Sequence, residues 1–298
     1  MICFAVTFRI ISVPDENESE KRGPQSCFCG EEKLGKEGNM GIAINVKDRV
    51  VMITGGARGI GLAIAGGFLE HGACVHQVDL DPVGQQLEEI SRMGSLYAHR
   101  GDVADPKSIQ GCVEEIVQTS GKIDVLVNCA GVGYKDLVEN LDVASWQRVM
   151  DVNVTGTMLA ARAVVPIMKE NRWGRIINMS SMQALMGTPQ YSAYTASKAA
   201  VIGLTRVWAM ELVSYDITVN DLCPSFVRTP MMEKSVETLR QKERLSVDEA
   251  KERFVSQVPQ RRFLEPDEIA FAALFLSSPL AQGITGSSIC IAAGCVLY

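Results

Sequence analysis

Two side chains that could exchange a proton, Tyr194 and Lys198, lie four residues apart in the sequence. On a helix this spacing puts both on one face, one turn apart. A phenol ionises near pH ~10, and an ammonium group beside it favours the phenolate, so Lys198 is expected to lower the pKa of Tyr194. The tyrosine would then act as an acid or base nearer neutral pH. Exposed pairs on many helices share this spacing, so the assignment depends on the surrounding motifs.

A glycine-rich turn follows the first predicted strand, residues 50–54. Gly55, Gly59 and Gly61 would let the backbone turn tightly and approach a pyrophosphate, and the helix that follows would offer free N–H groups and the positive end of its dipole. The spacing departs from the common Gly-x-Gly-x-x-Gly pattern, and loops use glycine for other reasons. The strand before the turn and the helix after it nevertheless favour a dinucleotide site.

Asp79, at the end of the second predicted strand, is the candidate for recognition of the adenosine ribose. A carboxylate there accepts hydrogen bonds from both ribose hydroxyls and repels a 2′-phosphate, so the sequence predicts NAD(H) over NADP(H). Arg58 in the glycine turn favours the opposite preference, because a guanidinium could reach that phosphate. An aspartate that only ends a strand and starts a turn is the alternative interpretation of Asp79.

Strand-like and helix-like segments alternate from residue 48 onward. The strands are near-continuous apolar runs, which is typical of a parallel sheet covered by helices on both faces, and right-handed crossovers then make it doubly wound. We therefore predict an α/β fold. The predicted strands cover residues 50–54, 74–78, 96–99, 123–128, 175–179, 217–223 and 287–292, and the predicted helices cover residues 60–71, 106–120, 144–169, 191–213, 246–257 and 266–277.

Composition excludes several classes of function. The net charge of −6 argues against nucleic acid as the main partner, and no apolar run approaches the ~20 residues that a membrane span needs. The 9 cysteines are odd in number and lie mostly in apolar runs, which indicates buried thiols in a reducing, cytoplasmic setting. The 3 histidines show no metal-ligand spacing, so we expect no metal site.

Two segments differ from this pattern. Residues 1–40 are predicted to be a disordered or dispensable extension, because residues 14–41 are polar and lack apolar periodicity, and Met40 is a candidate start of the protein. Residues 41–298 then form a single domain. Within it, the charged segment 231–262 before the last predicted helix is a candidate for a mobile lid over the substrate.

With these motifs in place, residues 46–292 resemble the short-chain dehydrogenase/reductase family. The resemblance rests on motifs that occur in the family's order: Thr54-Gly-x-x-x-Gly59-x-Gly61, Asp102-Val103, Asn128-Cys-Ala-Gly131, Asn153, Ser181, Tyr194-x-x-x-Lys198 and Pro224 with Thr229. It implies a single doubly wound Rossmann domain with a parallel seven-stranded sheet in the order 3-2-1-4-5-6-7. It also implies a NAD-dependent oxidoreductase that interconverts a secondary alcohol, such as a polyol, sugar, diol or hydroxy acid, and its ketone.

The resemblance implies a catalytic set of Asn153, Ser181, Tyr194 and Lys198. Ser181, at the carboxyl end of a predicted central strand, would hold the substrate oxygen, with its neighbour Ser180 as the competing candidate. Tyr194 would be the acid or base, and Lys198 would tune it and bind the nicotinamide ribose. Asn153 would hold a water in a proton relay at a local irregularity of its helix; an asparagine that only hydrogen-bonds locally is the alternative.

For the cofactor, the resemblance implies that Asp102 bonds the adenine amino group, that Val103 lines the ring, and that Thr229 contacts the nicotinamide carboxamide. The end of the fourth predicted strand would support the sheet beside the ribose. The full set of expected cofactor-binding residues is Gly55, Arg58, Gly59, Ile60, Gly61, Asp79, Asp102, Val103, Asn128, Ala130, Gly131, Tyr194, Lys198, Pro224, Val227 and Thr229.

The expected partners are a small-molecule alcohol or ketone and further copies of the chain, with no nucleic acid and no membrane. In the family, the helices predicted over 144–169 and 191–213 pack across a subunit interface, which implies a homotetramer, with a dimer as the alternative. Helices buried in the core would show the same apolar pattern. Two other functions stay open: an NADP(H)-preferring carbonyl reductase, and a cofactor-binding protein with a regulatory or scaffolding role.

Overall fold

A seven-stranded parallel sheet runs through the described residues, 44–82 and 85–296, of this computed structural model. Its order, β3-β2-β1-β4-β5-β6-β7, confirms the predicted topology. The described residues belong to one compact unit, Ala43–Tyr298, and the predicted extension over residues 1–40 lies outside them. The strands are β1 Val50–Thr54, β2 Cys74–Asp79, β3 Leu96–Arg100, β4 Val125–Asn128, β5 Gly174–Met179, β6 Ile217–Pro224 and β7 Ser288–Ile291.

Helices cover both faces of this sheet, each face with its own apolar cluster. The α-helices of the described residues are α1 Gly59–Glu70, α2 Gln85–Ser91, α3 Pro106–Ser120, α4 Val143–Met150, α5 Gly156–Asn171, α6 Ser192–Leu212, α7 Pro230–Glu243, α8 Val247–Val255 and α9 Pro266–Ser277. One cluster receives side chains from α1 and α9, and the other from α3, α5 and α6. Within the part of the chain that the structure describes, no helix is both long and apolar enough to cross a membrane.

The central strands are buried along their length because helices cover both of their faces. Every residue of β1, β4, β5 and β6 is buried. Since all strand pairs are parallel, the carboxyl ends of the strands meet at one edge of the sheet, where ligands bind in folds of this type. The residues that follow these strands therefore converge on that edge.

The long helix predicted over residues 144–169 is interrupted. A π-helical turn, Asp151–Thr155, separates α4 from α5, and the buried Asn153 lies at its centre. The side chain of Thr157 donates a hydrogen bond of 2.8 Å to the carbonyl oxygen of Asn153. Apolar periodicity could not reveal the interruption, because a single π turn inserts only one residue into an otherwise regular pattern.

The segment predicted as a lid, residues 231–262, carries two helices, α7 and α8. Val236, Ala250 and Phe263 form a small apolar cluster of their own there, separate from the two main clusters. The first helix was not predicted, although its start signal is present in the sequence: Thr229 caps it, and Pro230 follows as its first residue. Whether the segment moves stays a prediction.

Candidate active site

Two neighbouring serines follow β5 at the carboxyl edge of the sheet, and their hydroxyls have different partners. Ser180 is buried and donates a hydrogen bond of 3.0 Å to the carbonyl oxygen of Lys198 in α6. The hydroxyl of Ser181 is hydrogen-bonded to that of Tyr194, in the first turn of α6, and also accepts the backbone N–H of Gln183 at 3.2 Å. The arrangement therefore favours Ser181 over Ser180 as the hydroxyl that meets a substrate oxygen.

Lys198 lies behind the tyrosine on the same face of α6. Its Nζ is 5.6 Å from the centroid of the Tyr194 ring and donates a hydrogen bond of 2.7 Å to the carbonyl oxygen of Met179. The side chain is almost wholly buried. Burial lowers the pKa of Lys198 to about 8, an effect that the nearby thiols of Cys129 and Cys223 oppose. The Lys198 side chain can therefore change between ammonium and neutral amine near pH 8, well below the usual range for lysine.

The prediction that the pKa of Tyr194 is lowered is wrong as far as the protein's own side chains determine that pKa. Burial raises the pKa of Tyr194 to about 12, because the phenolate is more strongly solvated in water than in this partly enclosed cleft. The hydrogen bond from Ser181 opposes the increase, whereas Tyr191 and Cys129 add to it. Spacing along the helix identifies the neighbouring lysine but contains no information on how much water reaches the phenol.

Asn153 connects the π turn to the loop that follows β4. Its Oδ1 accepts the backbone N–H of Val132 at 2.8 Å, and its Nδ2 donates to the carbonyl oxygen of the same residue at 3.0 Å. The amide also donates to the hydroxyl of Ser197, at 2.9 Å, in α6. The π turn thus places a buried amide where it binds both the loop and the helix. These contacts are distant in sequence, so the alternative that Asn153 only hydrogen-bonds locally does not describe them.

The glycine turn between β1 and α1 has a geometry that only glycine allows. Gly55 has φ +68°, and a Cβ there would lie 2.7 Å from the Cα of Ala130. A Cβ on Gly61 would collide with the carbonyl oxygen of Gly55. Gly59 has φ +55° and packs near Thr229. The turn is therefore folded tightly against the loops that follow β4 and β6, with α1 starting directly from it.

The carboxylate of Asp79 reaches the glycine turn. It ends β2, is 8 % exposed, and accepts the backbone N–H of Ala57 at 3.2 Å. Arg58, the residue before α1, is exposed, and Ile60 is half-buried in the first turn of the helix. The structure brings the two residues with opposite implications for a 2′-phosphate, Asp79 and Arg58, to the same turn.

The expected adenine and ribose contacts lie along the ends of β3 and β4. Val103 packs against Gly156, where a Cβ would lie 2.8 Å from it, and Asp102 accepts the N–H of Ala104 at 2.9 Å. Asn128 is buried and donates to Asn178 at 2.9 Å, while its Oδ1 has no hydrogen-bond partner.

The residues just after β4 tie that strand to β1 and approach the lysine. The hydroxyl of Thr54 accepts the N–H groups of Cys129 and Ala130 at 3.2 and 3.3 Å. A Cβ on Gly131 would lie 3.5 Å from the Nζ of Lys198. These contacts hold the end of β4 beside the glycine turn.

The residues at and after the end of β6 that were predicted to bind the cofactor lie in different environments. Pro224 ends the strand at the edge of the cleft, and Thr229 accepts the N–H of Met232 at 3.2 Å as the cap of α7. The cap is the ordinary structural role for such a threonine. Val227 is buried in a main apolar cluster and forms an isolated β-bridge with Leu264, so its side chain contributes to the core.

Sequence reasoning missed three residues at the centre of the site. The ring of Tyr191 lies edge-on to that of Tyr194, with centroids 6.4 Å apart, and its spacing of three residues on one helix was a usable signal. Cys129 and Cys223 influence the charge of Lys198, and burial raises the pKa of each thiol, to about 11 for Cys129. A usable signal was present in the sequence, because Cys129 lies inside the Asn128-Cys-Ala-Gly131 motif and Cys223 directly precedes Pro224.

Comparison with known proteins identifies the family. The family model described as enoyl-(acyl carrier protein) reductase matches residues 55–295. This chain belongs to the short-chain dehydrogenase/reductase family. The chain is 37 % identical over 259 residues to 3-oxoacyl-(acyl-carrier-protein) reductase of Thermotoga maritima, a match that covers 85 % of this chain and 100 % of the relative. As a member of the family, the protein is an oxidoreductase that acts on small molecules.

Other short-chain dehydrogenases share the same architecture. The chain is 32 % identical to D-beta-hydroxybutyrate dehydrogenase of Cupriavidus necator, over 80 % of this chain and 94 % of the relative. The crystal structure of NAD+-bound xylitol dehydrogenase superposes with a TM-score of 0.77 at 30 % identity, covering 83 % of this chain and 99 % of that one. Among the residues that the structure describes, no group of three or more ligands could hold a metal ion.

Proposed function

We propose that this short-chain dehydrogenase interconverts a secondary alcohol and its ketone with NAD(H) as cofactor. The observation that carries the proposal is the hydrogen-bonded pair of hydroxyls, Ser181 and Tyr194, with the buried ammonium of Lys198 on the same helix face. The names of the relatives, which include a hydroxy-acid and a polyol dehydrogenase, support a secondary carbinol as the reacting group.

The proton chemistry is assigned to Tyr194. With its pKa raised to about 12, the phenol is protonated at neutral pH and can donate its proton to the oxygen of a ketone as that oxygen gains charge. The hydroxyl of Ser181 donates a second hydrogen bond to the same oxygen. In the opposite direction Tyr194 accepts the carbinol proton, and the ammonium of Lys198 stabilises the phenolate that would precede this step.

The residues of the glycine turn fit a dinucleotide. The turn excludes a Cβ at Gly55 and Gly61, so its backbone is tightly folded as a close approach to a pyrophosphate requires, and Asp79 lies beside it. Asp102, Val103 and the end of β4 would hold the adenosine half. When bound, the nicotinamide exchanges a hydride with the carbinol carbon. Asp79 supports NAD(H), whereas the exposed Arg58 supports the second candidate, an NADP(H)-preferring carbonyl reductase.

The test is turnover of the purified full-length chain on a panel of secondary alcohols and ketones, followed by absorbance of the reduced nicotinamide. We expect a higher kcat/KM with NAD+ than with NADP+. Asp79→Ala should lower the quotient of these two kcat/KM values, NAD+ over NADP+, by about tenfold or more, because the carboxylate that repels the 2′-phosphate is gone. A preference for NADP+ in the wild type would overturn the cofactor assignment. Binding of a dinucleotide without turnover of any panel member would favour the scaffolding role instead.

A further inference from the structure

The loop after β4 runs alongside the face of α6 that carries Tyr194 and Lys198, so that alternate residues of the loop lie beside successive side chains there. Gly131 lies against Lys198, since a Cβ there would be 3.5 Å from its Nζ. Two residues later, Gly133 lies against the Tyr194 ring, where a Cβ would be 3.9 Å from Cδ2. Two residues further, Lys135 lies over the Tyr191 ring, with its Nζ 5.3 Å from the centroid.

Hydrogen bonds hold this register at both ends of the loop. The side-chain amide of Asn153 forms hydrogen bonds with both the backbone N–H and the carbonyl oxygen of Val132. At the other end, the N–H of Asp136 donates a bond of 2.9 Å to the carbonyl oxygen of Gln190, which has φ +72° and precedes α6. The backbone on either side of Lys135 is therefore held along α6, with Gly131 beside Lys198 and Lys135 beside Tyr191.

The ammonium of Lys135 keeps an unneutralised charge at that place. The side chain is exposed, and no carboxylate of residues 44–82 and 85–296 forms a salt bridge with it. The neighbouring carboxylate of Asp136 is engaged elsewhere, accepting the hydroxyl of Tyr134 at 3.3 Å and the N–H of Leu137 at 2.8 Å. A cation held over an aromatic ring at the rim of the cleft is available to an anionic ligand.

We propose that the substrate is a short 3-hydroxycarboxylate, or the corresponding 3-oxo acid, and that Lys135 on its Tyr191 support selects the carboxylate. The inference rests on the proposed dehydrogenase function. Tyr191 precedes Tyr194 by three residues, roughly 4.5 Å of helical rise, which is close to the separation between the carbinol oxygen and the carboxylate in such an acid. Lys198 lies beside Gly131, at the other end of this row of contacts from Lys135.

The experiment compares 3-hydroxybutanoate with its uncharged methyl ester, which has the same carbinol, in the full-length chain with saturating NAD+. We expect the wild type to have at least a tenfold higher kcat/KM for the acid. Lys135→Gln should raise KM for the acid about tenfold with little change in kcat, because a contact to a remote carboxylate is equally strong in the ground and transition states. KM and kcat for the ester should stay unchanged.

Two matched variants and one solution condition separate charge recognition from structural damage. Lys135→Arg keeps the charge and should retain preference for the acid. Lys47→Gln removes an exposed lysine at the opposite edge of the sheet and should leave both substrates unaffected. Raising the salt concentration should increase KM for the acid in the wild type but much less in Lys135→Gln, since screening acts only where a charge pair exists.

The outcomes distinguish this inference from the function on which it rests. Equal kcat/KM for acid and ester in the wild type, or equal losses on both substrates in Lys135→Gln, would overturn the carboxylate assignment. Turnover of neutral polyols in preference to the acid would also overturn it while leaving the dehydrogenase function intact. Absence of turnover with every charged and neutral alcohol or ketone would refute the dehydrogenase function itself, and this inference with it.

Discussion

The two adjacent serines differ by only one position in the sequence, yet the hydroxyl of one binds the backbone and the hydroxyl of the other faces the candidate active site. Both follow the same strand, yet Ser180 donates to the backbone of α6 while the hydroxyl of Ser181 is hydrogen-bonded to that of Tyr194. Successive residues of an extended chain point to opposite sides, so only one of the two can face the cleft. The choice between them follows from the direction of each side chain rather than from residue type.

At this residue scale we expect Tyr194→Phe to lose turnover by ~10²–10⁴-fold, because the proton donor and acceptor is removed while the ring remains. Binding of the reduced dinucleotide, measured by its fluorescence, should be preserved. Tyr215→Phe is the matched control, because that ring lies under Lys169 after the end of α6 and takes no part in the site. A Tyr194→Phe variant with near wild-type turnover would refute the proposed role.

At the scale of elements, a chain of hydrogen bonds links β2, β3 and α3. His76 Nδ1 is 3.0 Å from His99 Nε2, and His76 Nε2 is 2.7 Å from the hydroxyl of Ser120. His99 Nδ1 is 2.9 Å from the carboxylate of Glu115. Since a carboxylate can only accept, His99 donates to Glu115, His76 to His99, and Ser120 to His76. Burial and the neighbouring His99 lower the pKa of His76 to about 4.

This depressed pKa predicts a loss of stability in acid. The unfolded chain protonates His76 near its ordinary value of 6.5, and the folded chain does so only near about 4, so the contribution is fully present above pH 6.5 and is lost as the pH falls towards 4. The loss in the free energy of unfolding is on the order of 2–3 kcal/mol. Urea unfolding of the wild type and of His76→Gln at a series of pH values measures it.

We expect the stability of His76→Gln to depend less steeply on pH between 6.5 and 4 than that of the wild type. His71→Gln is the matched control, because His71 is exposed and bonds only the carbonyl oxygen of Gly67 one turn earlier. Parallel stability curves for the wild type and His76→Gln would contradict the assignment. Carboxylates that titrate in the same range are shared by all three proteins, so the difference between the curves reports His76.

At the scale of the whole molecule, exposed apolar side chains on α6 and α9 support the proposed assembly of several copies. Met210 is 83 % exposed, Val207 53 % and Phe271 64 %. Monomeric proteins rarely leave groups of large apolar side chains in water, whereas subunit interfaces cover them. The site described above lies at the other end of α6, so assembly through Met210 would leave the cleft open.

We expect light scattering to give the mass of a homotetramer, or of a dimer as the alternative. Met210→Glu should shift the population towards smaller species, because it places a charge in a surface that becomes buried on association. Gln118→Glu adds the same charge at an exposed position of α3 and should leave the mass unchanged. A wild type that is monomeric at every concentration measured would contradict the proposal.

Most strands and helices could be predicted because they have local signals in the sequence. The apolar strands, the glycine turn and the proline at the start of α3 and α9 all stand in the sequence, and the strand order followed from the family resemblance. α7 was missed even though Thr229 and Pro230 mark its start, because the charged segment after them was interpreted as a lid. The π turn at Asn153 could not be predicted from periodicity, since it adds only one residue.

By itself, the sequence determined which groups are available for chemistry: a tyrosine and a lysine one turn apart, two serines after a strand, and glycines where the backbone must close on itself. Only the tertiary structure decided how those groups behave. The pKa values of Tyr194 and Lys198, raised and lowered respectively, depend on burial by residues far away in the chain. The place of Lys135 likewise depends on hydrogen bonds between loops that are distant in sequence, because side-chain direction and solvent access are properties of packing and not of spacing.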